Sequence, residues 1–91
     1  MEIEGRHIPN RLQEHRTIHG YRLKDVAHLL GHKNTNQVGK WENGEGMPGL
    51  VNLIRLSIIY STLPTDLYFD VLKEQQEYIA TNRQTLFVRA K

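Results

Sequence analysis

The sequence has no cysteine, only three prolines and a single tryptophan. Without cysteine there is no disulfide framework, no thiolate metal site and no cysteine nucleophile, and the composition fits a reducing cytoplasm, where we expect the protein to reside. No apolar run approaches the roughly 20 residues that span a bilayer. No hydrophobic signal segment follows Met1. We therefore expect no membrane association.

The charge excess is also small, a net +2 over 91 residues. From Pro64 onward four basic residues meet four acidic ones, so the whole excess lies before that point. Such a distribution permits contact with a polyanion but does not identify one. At this length the chain forms one domain, without room for a second, catalytic one.

Apolar periodicity predicts helices along most of the chain. Pro9 suits the first turn of a first helix, which Gly20 ends. Residues Leu23 to Leu30 carry an apolar stripe at i, i+3, i+4 and i+7, and Gly31 follows where a left-handed helix end is expected. This pattern predicts a second helix of about two turns.

The third helix is predicted from its ends. Asn34 can cap it, with Gln37 at the capping-box spacing, and Asn43 with Gly44 ends it. Residues 50–60 are apolar on most faces, which predicts a fourth helix enclosed by others.

A fifth helix is predicted from Thr62 or Thr65 to about Asn82. The tail from Thr85 to Lys91 could be a strand or a loose end. Alternating strand patterns are absent before Thr85, so the predicted class is all-α.

The third helix presents a polar face to a partner. With Val38 and Trp41 facing inward at 100° per residue, the outward positions are Asn36, Lys40 and Asn43, with Gln37 and Gly39 on the flanks. Asparagine and glutamine can bind adenine in the major groove, and lysine can bind guanine. The alternative is an ordinary solvated helix face. Gly39 needs a reason, because glycine costs about 1 kcal/mol inside a helix; close approach of a phosphate or base is one such reason and tight helix packing is another.

Glu42 lies near the inward side of the third helix, in the last turn, where the helix dipole disfavours a carboxylate. It therefore needs a cation. Arg16 shares the inward face of the first helix with Leu12, and a guanidinium can bind a carboxylate through two hydrogen bonds. We predict an ion pair between Arg16 and Glu42.

Read in order, these residues resemble the helix-turn-helix domain of the phage repressor, Cro and xenobiotic-response-element families, from about Asn10 to Phe69. The resemblance rests on Arg16, Gly20, Val26-Ala27, Leu30-Gly31, the run Val38 to Gly44, Pro48, Leu53, Leu56 and Asp66-Leu67. It implies an all-α, five-helix repressor-like helix-turn-helix domain with an extended C-terminal helix.

This resemblance also implies the domain boundaries. Residues 10–69 form the DNA-binding domain and 70–91 a C-terminal helical extension and tail. Residues 1–9 are an N-terminal arm or a tag remnant, because Ile3 to Arg6 match a tetrapeptide that a tag-removing protease recognises.

The resemblance implies duplex DNA as partner, with the third helix in the major groove and the small residue Ala27 letting the second and third helices cross closely. The base-contacting candidates are Thr35, Asn36, Gln37 and Lys40. The phosphate-contacting candidates are Arg22, Lys24, Lys33 and Asn43. Useful specificity from so small a domain implies a homodimer on half-sites about one helical turn, roughly 34 Å, apart.

The sequence departs from the family pattern at three places. Leu23 stands where the family usually has a glutamine that helps hold a phosphate or base edge. The turn from Gly31 to Asn34 is about one residue longer than usual, which puts the contact register in doubt. Ile58 is apolar where the family tends to be polar, and a longer last helix or a dimer partner would cover it.

Other functions find less support in the sequence. His15 with His19 and His28 with His32 have the i, i+4 spacing that can hold a metal ion. No acidic or thiolate side chain that could complete such a site is evident. We therefore predict no metal site, no cofactor and no enzyme, since no nucleophile motif or spaced carboxylate pair is present. The main alternative is a protein-interaction role, either as an antitoxin that also masks a toxin or as an adaptor for another regulatory protein.

Overall fold

The computed structural model describes residues 7–89 as a bundle of six helices. These are α1 (Leu12–Ile18), α2 (Leu23–Leu29), α3 (Asn36–Glu42), α4 (Leu50–Ile59), α5 (Pro64–Leu67) and α6 (Phe69–Arg89). No strand occurs within residues 7–89, and the all-α prediction is confirmed. The core comprises Ile8, Leu12, Val26, Ala27, Leu30, Val38, Trp41, Leu56, Tyr60, Leu67 and Tyr68.

The N-terminal segment is part of this core. Ile8, which the sequence places in the N-terminal arm, is only 4% exposed, so the packed domain includes it. Helix α1 begins at Leu12, and the prediction that Pro9 occupies its first turn is wrong. The side-chain oxygen of Asn10 accepts a hydrogen bond from the Leu12 backbone N–H at 3.0 Å, which begins the helix after Asn10. The tetrapeptide from Ile3 to Arg6 lies outside the described residues.

Glycines end the two central helices as the sequence predicts. Gly31 and Gly44 both have φ of +77°, a left-handed conformation that glycine adopts without steric cost. At Gly44 a side chain is also excluded by space, because a Cβ would lie 2.7 Å from the backbone nitrogen of Ile8.

The start of α3 differs from the prediction. The helix begins at Asn36 and its N-cap is Thr35, so the predicted capping box of Asn34 and Gln37 is wrong. Asn34 still acts locally, since its side-chain oxygen accepts a hydrogen bond from the Asn36 backbone N–H at 3.0 Å. An Asx-type turn thus precedes the helix, and the N-cap lies one residue later than predicted.

Helix α4 is not enclosed, which corrects the sequence prediction. It is buried only along one side, at Leu56, with Leu53 and Ile59 partly buried. Leu50 and Ile58 are 73% and 71% exposed. The longer last helix therefore does not cover Ile58, and a stretch that is apolar on most faces leaves one apolar face in solvent.

The predicted fifth helix is in fact two helices. The chain leaves helical geometry at the buried residue Tyr68, with φ −125° and ψ 49°. One cause is that the carbonyl of Leu67 accepts a hydrogen bond from the Arg11 backbone N–H at 2.9 Å, which ties it to the start of α1. Helix α6 then continues to Arg89. The prediction of a strand or loose end from Thr85 is therefore wrong for residues 85–89.

Candidate nucleic-acid interface

Helix α3 separates its residues into a buried and an exposed side, as the helical wheel predicts. Val38 and Trp41 are 1% and 4% exposed. The Trp41 ring also packs in an edge-type arrangement with His32 from the preceding turn, with ring centroids 5.9 Å apart. The exposed side chains of α3 and its C-cap are Asn36, Gln37, Lys40 and Asn43. These side chains carry little of the core packing and are free to meet a partner.

Two further positions shape this exposed face. Thr35, the N-cap of α3, is half-buried at the start of the face. A Cβ built on Gly39 meets nothing within 4 Å. Tight packing against the described residues is therefore not the reason for this glycine. The space above its backbone is open to a partner instead.

The structure brings Arg16 of α1 and Glu42 of α3 together. The Arg16 Nε lies 2.6 Å from one carboxylate oxygen of Glu42, and its Nη2 donates to the other at 3.1 Å. The Nη1 of Arg16 donates to the backbone carbonyl of Tyr21 at 3.0 Å. The side chains of Arg16 and Glu42 are only 15% and 5% exposed. The hydrogen bond to Glu42 raises the pKa of Arg16 further above its usual value.

This geometry fixes the last turn of α3 relative to α1. A bidentate guanidinium–carboxylate contact restricts the relative rotation of the two side chains as well as the distance between them. The carbonyl of Tyr21, immediately before α2, is tied to the same guanidinium. The ion pair thus joins α3 to α1 and to the segment that precedes α2.

Asn10 holds the same end of α3, and the sequence did not single it out. Its side-chain nitrogen donates to the carbonyls of Trp41 at 3.0 Å and of Glu42 at 3.3 Å. These carbonyls belong to the last turn, whose carbonyls lack partners four residues on within the helix; that of Trp41 also accepts a hydrogen bond from the Gly44 N–H at 3.0 Å. The Ile8 N–H donates to the carbonyl of Gly44 at 2.9 Å, next to this point. The only sequence signal was an asparagine two residues before an apolar helix start, which is typical of a local cap.

The phosphate candidates differ in their surroundings. Lys24 and Lys33 are exposed. Arg22 is also exposed but forms an ion pair with Asp25 at 3.3 Å. The backbone N–H of Arg22, and then its side chain, lower the pKa of the Asp25 carboxyl. Asn43 donates from its side chain to a carboxylate oxygen of Glu45 at 3.3 Å, so a negative charge lies beside it.

Two of the histidines with metal-ligand spacing, His15 and His19, lie beside aromatic rings. The ring centroids of His15 and His19 lie 6.3 Å and 5.9 Å from that of Tyr60, and His19 stacks on Tyr21 at 6.2 Å. Within residues 7–89 no group of three or more histidine, aspartate or glutamate side chains is arranged to hold a metal ion. His15 is half-buried and His19 exposed, so both lie at the edge of the core around Tyr60.

Comparison with known proteins places this geometry in a family. A family model described as helix-turn-helix matches residues 12–67, from the start of α1 to the end of α5. No curated protein and no solved structure matches the chain. Among the described residues, no helix combines the length and the hydrophobicity that crossing a membrane requires. The match covers more than half of the chain, which therefore belongs to the helix-turn-helix family of the xenobiotic-response-element type, a family of DNA-binding regulators and not of enzymes.

Proposed function

We propose that this protein binds duplex DNA at specific sequences, with α3 in the major groove. The observation that carries the proposal is the exposed polar face of α3 on a helix whose other side is fixed in the core. The residues proposed to contact base edges are Thr35, Asn36, Gln37 and Lys40. Amide and ammonium groups of this kind can distinguish base pairs in the major groove. The open space above Gly39 lets the DNA approach the helix backbone.

Phosphate contacts are proposed for Lys24 and Lys33, whose side chains are exposed. Arg22 is proposed to contact a phosphate as well, although its guanidinium is partly engaged by Asp25. Asn43 is the least favoured of the four candidates, because the carboxylate of Glu45 beside it repels a phosphate. Such contacts set the position of the domain on the duplex without reading its sequence.

We further propose that two copies act together as a repressor. The exposed face of a single helix contacts only a few base pairs, so two half-sites about 34 Å apart supply the missing specificity. Repression needs no catalytic or activating surface, because a bound dimer already excludes other proteins from the same DNA.

The experiment that tests the proposal is selection from a random duplex DNA library at two salt concentrations. The wild-type protein is compared with Lys40→Ala and with Lys73→Ala as a matched control. Both substitutions remove one exposed lysine, but Lys73 lies on α6 and outside α3. We expect a paired motif with wild type and Lys73→Ala, and relaxed selection at one or more base pairs of each half-site with Lys40→Ala.

Uniform binding that weakens with salt, without any enriched motif, would contradict sequence-specific recognition. That result would favour the alternative of an antitoxin or adaptor that acts through a protein partner. The supporting observation for such a role is the exposed apolar face of α4, where Leu50, Val51 and Ile58 are each more than half exposed.

A further inference from the structure

Helix α6 extends beyond the core, and no other described part of the chain covers most of it. Its first residues pack beside α5, but every side chain from Lys73 to Leu86 is exposed, and so is that of Val88. Isolated helices shorter than about 12–15 residues are marginal in water even when rich in alanine; α6 is longer but contains only one alanine among its 21 residues. A helix of this composition is stabilised mainly by tertiary packing, so its exposed part calls for a partner.

The exposed part of α6 carries an apolar stripe with a seven-residue repeat. Leu72, Ile79 and Leu86 recur every seven residues, which places them on one side of a helix. Leu72 is half-buried, and Ile79 and Leu86 are 44% and 62% exposed. An open concavity of about 330 Å³ lies on the same side, lined by Leu72, Gln75, Gln76, Ile79 and Arg83. Ridges and hollows of this kind suit packing against a second helix.

The stripe is symmetric about its centre. Leu72 and Leu86 lie seven residues before and after Ile79. When two such helices run antiparallel with the Ile79 side chains at a two-fold axis, each Leu72 faces the Leu86 of the other helix. A surface that complements itself in this way forms the same contacts on both sides of a two-fold axis.

The charges along α6 favour the antiparallel arrangement. Its first half contains Asp70, Glu74 and Glu77 against the single cation Lys73, whereas the charged residues of its second half are Arg83 and Arg89. Antiparallel helices place the acidic half of one beside the basic half of the other. Parallel helices would place like charges side by side, which is unfavourable.

We propose that α6 pairs antiparallel with α6 of a second copy of this chain, with Ile79 at the two-fold axis. This inference rests on the proposed function in one respect, since it names the surface that joins the two DNA-reading domains. The pairing itself is tested without DNA, so its failure and the failure of DNA recognition are distinguishable.

The first test is sedimentation velocity of the full chain over a range of concentrations, with Ile79→Asp beside Thr81→Asp. Thr81 lies about 200° around the helix from Ile79 and is exposed, so the control adds the same charge to the opposite face. We expect a wild-type dimer whose dissociation constant rises about a hundredfold or more in Ile79→Asp, because two buried isoleucines are lost. Thr81→Asp should stay within about threefold of wild type, as surface substitutions do.

A second test uses the absence of cysteine from the chain. Ile79→Cys should form a disulfide-linked dimer on mild oxidation. Leu72→Cys alone should not, because 14 residues separate the two copies of that position along an antiparallel pair, about 21 Å. Mixing Leu72→Cys with Leu86→Cys should restore the cross-link. Thermal melting followed by circular dichroism shows whether each variant retains its fold.

Three results would overturn the proposal. The first is a wild-type chain that remains monomeric at millimolar concentration. The second is efficient self-cross-linking of Leu72→Cys, which requires parallel helices. The third is a dimer that Ile58→Asp dissociates and Ile79→Asp does not, which would move the interface to α4.

Discussion

At the scale of single residues, the orientation of α3 depends on the contact between Arg16 and Glu42. We expect Glu42→Gln to lower the free energy of unfolding by about 3 kcal/mol, because the Arg16 charge stays largely buried without its carboxylate. For a domain of this size the loss corresponds to a fall in Tm of roughly 10 °C or more. Thermal denaturation followed by circular dichroism measures it.

The exposed ion pair between Arg22 and Asp25 provides the control for that measurement. Arg22→Ala removes a guanidinium that is 69% exposed, and pairs in such positions contribute about 1 kcal/mol or less. An equal, small change in Tm for both variants would show that the Arg16–Glu42 pair does not hold α3.

Gly39 allows stability and binding to be separated at one position. We expect Gly39→Ala to raise the free energy of unfolding by about 0.5–1 kcal/mol, because alanine favours the helix and its Cβ meets no atom within 4 Å. Affinity for the selected DNA should fall, because the added methyl group occupies the space proposed for the duplex. Chemical denaturation and fluorescence anisotropy measure the two effects.

Gly46→Ala serves as the comparison for Gly39→Ala, since a Cβ at Gly46 also meets nothing within 4 Å and the residue lies outside α3. Unchanged DNA affinity in Gly39→Ala would remove the backbone of α3 from the proposed contact.

The helical wheel was sufficient to predict which residues of α3 face inward and to pair Arg16 with Glu42, since both predictions depend on local periodicity and charge. It could not predict the role of Asn10, whose side chain binds the carbonyls of Trp41 and Glu42. That contact joins positions more than 30 residues apart. Burial of Ile8 likewise depends on how the chain folds back over the end of α3.

At the scale of the helices, Asp25 makes the stability of α2 depend on pH. Its carboxylate accepts a hydrogen bond at 2.8 Å from the Arg22 N–H at the helix start, and its pKa is lowered from the ordinary value of 3.8. A lowered folded-state pKa means that the carboxylate stabilises the fold above about pH 4 and that this stabilisation is lost as the pH falls through the lowered value. We expect Asp25→Asn to melt below wild type at pH 7, with a difference that shrinks below pH 4.

The exposed Asp70, at the start of α6, provides a comparison through Asp70→Asn. A constant difference between Asp25→Asn and wild type from pH 7 to pH 2 would exclude the carboxylate charge as its source. Melting curves collected at each pH distinguish the two outcomes.

Helix boundaries were predictable where a local signal sets them and not where a tertiary contact does. Gly31 and Gly44 end their helices through their own conformational freedom. The interruption at Tyr68 accompanies a hydrogen bond from Arg11, 56 residues away, to Leu67, and no local pattern indicates it. The apolar pattern of α4 showed that the helix could be buried on most sides, but not that it has too few neighbours to bury them all.

At the scale of the whole molecule, the salt dependence of binding counts the phosphates that the proposed dimer neutralises. Each phosphate contact contributes about 0.9 to the slope of the logarithm of the binding constant against the logarithm of salt concentration. We expect Lys33→Ala to reduce this slope by about 2, since a dimer loses the contact twice. Affinity for all sequences should fall alike. Anisotropy titrations over a series of salt concentrations provide the slope.

Lys73→Ala is the control for this titration, because it removes an exposed positive charge from α6. An unchanged slope in Lys33→Ala would place Lys33 away from the DNA backbone. A loss confined to one base pair would instead make it a reader of sequence.

The division of α3 into a buried and an exposed side also has an evolutionary consequence. Substitutions at Asn36, Gln37 and Lys40 cost little stability, because these side chains are exposed. If these residues contact base edges as proposed, descendants of this protein can acquire new target sites without passing through unfolded intermediates. Val38, Trp41 and Glu42 lack this freedom, so lineages that diverge in their target sites should still share these three residues.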